Sequence, residues 1–117
     1  MDLNDAIKGL SALAQDARLK LFRLLVKAGP EGMAAGDIAR ELDVAANTAS
    51  AQLLILANAG LIKARRAGRS IIYAVNFEAM TRLLVFLTED CCGGRSEVCA
   101  PLMAVASQCC EMPGRKT

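Results

Sequence analysis

The sequence predicts a mainly α domain that carries a β-hairpin, an α+β class. Three observations predict it. Apolar residues recur at helical spacing through the first sixty positions. Two short amphipathic segments, 34–42 and 46–58, are separated only by Asp43-Val44-Ala45, which reads as a tight turn. Directly after them, Leu61-Ile62-Lys63-Ala64 and Ile71-Ile72-Tyr73-Ala74-Val75 read as strands around a turn at Ala67-Gly68-Arg69-Ser70. Two short helices joined by a few residues form a helix-turn-helix, and a hairpin behind the second makes it a winged helix.

Each element has its own signal. Leu3, Ile7, Leu10 and Leu13 predict an amphipathic helix over 3–14. A second helix starts near Asp16, with Leu19, Phe22, Leu25 and Val26 on one face, and stops at Gly29-Pro30 because proline cannot continue it. Residues 34–42 form a third helix with Ile38 and Leu42 inward. Residues 46–58 form a fourth with Ala49, Leu53 and Leu56 inward, closed by Gly60 as a C-terminal cap. Asn76 caps a last helix, and Glu78 suits its positive end. There Phe77, Met80, Leu84 and Leu87 make one stripe, while Leu83, Val85 and Phe86 make the helix apolar almost all round, as expected between subunits. From Glu89 onward the pattern breaks into a glycine- and cysteine-containing loop, with a short helix at 100–109 and a frayed tail from Met112. Two regions are expected: 1–90, for DNA binding and dimerisation, and 91–117, a cysteine-rich segment.

Composition narrows the function. The net charge of +2 over 117 residues gives a weak overall field, so nucleic-acid binding must come from local clustering of cations. A hydrophobic fraction of 54% exceeds what a small monomer needs to bury, and implies a homodimer. Leu3, Ile7, Leu10, Met80, Leu83, Leu84 and Leu87 are the expected interface. The longest uncharged stretch, Val44 to Ile62, holds Asn47, Thr48, Ser50, Gln52, Asn58 and Gly60 and is too polar to span a membrane. No secretion signal is visible, and five cysteines are an odd number. Reduced thiols in the cytoplasm are therefore expected rather than a disulfide framework.

Two clusters carry chemistry. The fourth helix presents Asn47, Thr48, Ser50 and Gln52, side chains that donate and accept hydrogen bonds to base edges and phosphates in a major groove. The bland alternative is that they cap a helix start. The hairpin then supplies Lys63, Arg65, Arg66 and Arg69 within seven residues, with no acid from Lys63 until Glu78. Same-sign charge on both strands of a short hairpin favours contacts to backbone phosphates over a merely solvated face. The second cluster is Cys91, Cys92 and Cys99, with Gly93-Gly94 between them and no histidine anywhere in the chain. A metal site built from sulfur alone selects soft ions. Adjacent Cys91 and Cys92 bring two ligands together with little loop-closure entropy, and a disulfide between neighbours would be strained. Cys109 and Cys110 form a second vicinal pair, an accessory site or part of a tail.

The run Ala46-Asn47-Thr48-Ala49-Ser50-Ala51-Gln52-Leu53-Leu54-Ile55-Leu56-Ala57-Asn58-Ala59-Gly60-Leu61-Ile62, continued by Arg65-Arg66-Ala67-Gly68-Arg69-Ser70-Ile71-Ile72-Tyr73, resembles the ArsR/SmtB family of winged-helix metal-responsive repressors. Asp16-Ala17-Arg18-Leu19 fits as well. The resemblance covers roughly residues 3–90. It implies a homodimer that binds an inverted-repeat operator in double-stranded DNA and releases it when an inducer binds. It also places Tyr73 with the DNA-binding residues. Two departures matter. Glu41-Leu42-Asp43-Val44 stands where many members have Cys-x-Cys, and the Asp/His zinc site of the last helix lacks its histidines. The C-terminal thiols are similar to those of arsenite-sensing members, so As(III) or Sb(III) at Cys91, Cys92 and Cys99 is the implied inducer, with no organic cofactor. Trivalent arsenic takes three thiolates in a pyramid, which these residues could supply. Methylarsenite, Cd or Pb are alternative inducers. A persulfide or redox sensor of the same fold needs only two bridging cysteines. An enzyme is not expected, since the Cys-x-x-Cys and histidine base of a thiol reductase are missing. A metal carrier without DNA binding would leave the wing unexplained.

Overall fold

A computed structural model describes residues 1–88. The elements run α1 (Leu3–Leu13), α2 (Asp16–Ala28), a 3-10 turn (Gly29–Glu31), β1 (Met33–Ala34), α3 (Ala35–Leu42), α4 (Ala46–Asn58), β2 (Ile62–Ala67), β3 (Ser70–Val75) and α5 (Phe77–Thr88). The sheet is antiparallel with order β1-β3-β2. This is a winged helix-turn-helix. The chain divides into two units, Met1–Phe86 and Leu87–Thr117. All five cysteines and the expected helix at 100–109 lie outside the described residues. Among the described residues no helix is long and apolar enough to cross a membrane.

Local signals placed the centre of the fold. The α4 helix spans the expected residues and buries Ala49, Leu53 and Leu56. It ends in a Schellman pair: the Gly60 N–H donates to the Ala57 carbonyl and the Leu61 N–H to the Leu56 carbonyl, with Gly60 at φ +81. The Asn76 side chain accepts from the Ala79 N–H and donates to the Gly60 carbonyl, tying the start of α5 to the end of α4. Arg66 pairs with Ile71 and Ala67 with Ser70, leaving Gly68-Arg69 as a two-residue turn. Gly68 takes φ +64 and Arg69 stays at negative φ, as a II′ hairpin requires.

Packing decided which face of each helix turns inward. The α1 helix turns its small residues inward: Ala6, Gly9 and Ala12 are buried, while Leu3, Ile7 and Leu10 stand 62%, 51% and 40% exposed. A Cβ at Gly9 would lie 3.6–3.7 Å from the side chains of Leu61 and Leu83, so the small face lets α1 sit close on its neighbours. In α2 the inward residues are Leu21, Phe22 and Leu25, whereas Leu19 and Val26 face out. In α3 Ile38 and Ala39 are buried and Leu42 is only half-buried. Strand β1 was not expected: Met33 and Ala34 pair with Tyr73 and Ile72 of β3, and two residues are too few to show a period. Leu83 is 4% exposed within the protomer core, so it is not an interface residue as expected. Met80 is half-buried against the same core, and Leu84 and Leu87 are more than half exposed.

Candidate nucleic-acid interface

The first turn of α4 is polar and uncommitted. Asn47, Thr48 and Ser50 are exposed, and the helix has no side-chain cap, so these groups are not spent on the bland role. The turn holds no acid, and the positive end of the helix dipole adds to its attraction for phosphate. At 100° per residue, the row opposite buried Ala49, Leu53 and Leu56 is Asn47, Ala51, Leu54 and Asn58. Leu54 is 60% exposed there. The sequence reading did not single out Ala51 and Leu54, although the spacing of 4 and 3 from Asn47 was available; Asn58, at the far end of the row, lines a groove beside α1. Apolar side chains on this row suit thymine methyl groups.

Gln52 does not join this row. It is half-buried, and its Oε1 accepts from Arg18 Nη1 at 3.0 Å. Its expected role as a base contact therefore gives way to an internal bond. Arg18 had entered only through the Asp16-Ala17-Arg18-Leu19 pattern; no periodicity marks a contact between residues 34 apart in sequence.

The wing carries its charge on one strand and the turn. Lys63, Arg65 and Arg66 are on β2 and Arg69 is at the tip, while β3 (Ser70–Val75) has none, which corrects the expectation of charge on both strands. Register places Lys63 and Arg65 on one face of the hairpin and Arg66 on the other. Arg65 Nη2 donates to the Glu31 carbonyl at 2.9 Å, bracing the wing against the 3-10 turn. Lys63, Arg66 and Arg69 make no ion pair among the described residues. Tyr73 sits mid-strand in β3, paired on both sides, and is half-buried with its side chain packed against the core.

The helix-turn-helix domain family matches residues 13–65. A homodimeric winged helix-turn-helix DNA-binding domain from Mycobacterium bovis, Mb0332, a possible ArsR-family transcriptional regulator, is 32% identical. The match covers 73% of this chain and 76% of that one, with a TM-score of 0.62. NolR from Sinorhizobium fredii is 30% identical over 74% of this chain and 83% of its own, with a TM-score of 0.59. AntR, an antimony-specific transcriptional repressor, is 26% identical over 74% and 83%, with a TM-score of 0.58. No curated protein matches the sequence significantly. Helix order, wing and relatives agree: the chain belongs to the ArsR family of winged-helix transcriptional regulators.

Proposed function

We propose that the chain is a cytoplasmic homodimeric repressor that binds an inverted-repeat operator and releases it when As(III) or Sb(III) is captured by Cys91, Cys92 and Cys99. The observation that carries the DNA reading is the exposed polar first turn of α4, together with the cations Lys63, Arg66 and Arg69, which make no ion pair among the described residues. The reading helix supplies base contacts and the wing supplies phosphate contacts, the division of labour that specific binding needs. The large aliphatic row of α1, Leu3, Ile7 and Leu10, supplies the dimer surface. Homodimeric Mb0332 supports that assembly.

The inducer reading rests on donor chemistry. Three thiolates without imidazole suit a soft trivalent centre, and the kinship with an antimony-specific repressor supports the same group of elements. Cys91 follows Thr88, the last described residue of α5, by three positions in the sequence. Cys109 and Cys110 belong to the tail and are not needed for the response.

A gel shift with operator DNA tests the whole reading. Arsenite or antimonite is expected to free the DNA, and cadmium or lead to do so less well. No shift in the absence of inducer would reject the DNA reading. DNA retained with arsenite but lost with a persulfide donor would make the chain a thiol redox sensor instead.

A further inference from the structure

Arg18 lies half-buried at the start of α2 and reaches two other helices. Its Nε donates to the Ala12 carbonyl near the end of α1 at 2.6 Å, and its Nη1 donates to Gln52 Oε1 in the middle of α4 at 3.0 Å. Its own N–H is held by the Gln15 side chain that caps α2, at 3.0 Å. One guanidinium therefore connects α1, α2 and α4. Both side-chain acceptors are neutral, and no carboxylate pairs with Arg18 among the described residues. Bonds from a charged donor are about twice as strong as neutral ones, and the planar fork fixes the angle between its two acceptors.

Beside Arg18, α1 and α4 border a groove of about 510 Å³, lined in part by Lys8, Ser11, Ile55 and Asn58. Beside this groove the bonds of Arg18 add a polar link between α1 and α4 to the apolar packing of the core, in which Ala12, Leu53 and Leu56 take part. A neighbouring exposed strip of α1 carries Leu3, Ile7 and Leu10. The offset between that row and the outward row of α4 determines how far apart two reading helices stand in a dimer. Half-site spacing on DNA depends on that distance.

We propose that Arg18, through Gln52, is the positioning residue that registers the reading helix against the dimer helix and thereby sets the half-site spacing the dimer accepts. The inference rests on the dimeric DNA-binding function proposed above.

The test uses the full chain and an operator selected by the wild type from random duplexes. The readout is the ratio of Kd for that operator to Kd for the same operator with one base pair inserted between half-sites. For the wild type the insertion is expected to weaken binding about tenfold, the scale of one mismatched pair. Arg18→Ala and Gln52→Met are each expected to shrink that ratio to about threefold or less, on the same scale. Gln52→Glu keeps the acceptor and is expected to keep the wild-type ratio, whatever its charge does to overall affinity. Arg23→Ala, exposed on the same helix, is the control. The ratio is internal to each variant, so a modest loss of stability does not mimic the effect. A wild-type ratio in both folded, dimeric Arg18→Ala and Gln52→Met overturns the proposal. So does an Arg18→Ala variant that only flattens the salt dependence, because Arg18 would then be a phosphate ligand. A wild type that selects no operator or stays monomeric rejects the function proposed above, and this inference with it.

Discussion

Gly32→Ala tests how the wing is rooted. Gly32 lies between the 3-10 turn and β1 at φ +75. A Cβ there would sit 2.3 Å from the Tyr73 carbonyl oxygen, 2.9 Å from its carbon and 3.0 Å from the Ala74 Cβ. With ψ at −167 this backbone is open essentially to glycine alone, which costs an alanine roughly 1–3 kcal/mol. The contact cannot be relieved by a rotamer change, because the carbonyl belongs to the central strand. Tyr73 is paired with Met33 on one side and Ala64 on the other. Relief requires moving β1 off β3, which gives up ladder hydrogen bonds worth about 1 kcal/mol each. The expected loss is roughly 3 kcal/mol in total. Gly60→Ala is the comparison: φ is +81 at the left-handed close of α4, and nothing lies within 4 Å of its Cβ. Strain alone acts there, so it is expected to lose about 1 kcal/mol. Urea denaturation of both variants, followed by circular dichroism, measures the difference, about 2 kcal/mol, that the glycine-only backbone and the close approach at 32 add together. Equal losses in the two variants would refute the β1–β3 pairing as the reason for glycine at 32.

Replacing Arg66 and Arg69 by Ala should lower the slope of log K against log salt by about one unit per lost phosphate contact, for operator and random DNA alike; fluorescence anisotropy across a salt series measures it, and an unchanged slope removes the wing from the interface. Asn47→Ala should instead cost operator preference, on the order of 1–3 kcal/mol, and equal weakening on random DNA would make Asn47 a phosphate ligand. Ile7→Glu should leave the protomer folded, because Ile7 is exposed within it, yet yield monomer in sedimentation; a persistent dimer places the interface off α1. Cys91→Ser, Cys92→Ser or Cys99→Ser should each preserve DNA binding and blunt arsenite release, while the Cys109→Ser, Cys110→Ser pair should release normally; the reverse pattern reassigns the thiols.

Short-range chemistry made much of this protein legible in its sequence. The bounds of α4, its close at Gly60, the hairpin turn at Gly68 and the Asn76 cap all depend on residues within four or so positions of one another. So does the polar first turn of α4. The run of thiols was equally legible, as composition rather than geometry. Tertiary packing decided the rest. Hydrophobic periodicity states that α1 has two faces, but Ala6, Gly9 and Ala12 face inward because close approach to Leu61 and Leu83 rewards small side chains there. Leu83 was expected between subunits and is buried in the protomer core instead, while Tyr73 is half-buried against that core. Gln52 looked like a reader of bases until Arg18, from another helix, claimed its oxygen. A pattern read along the chain records which faces exist; which face meets which neighbour is settled only where distant segments compete for the same buried space.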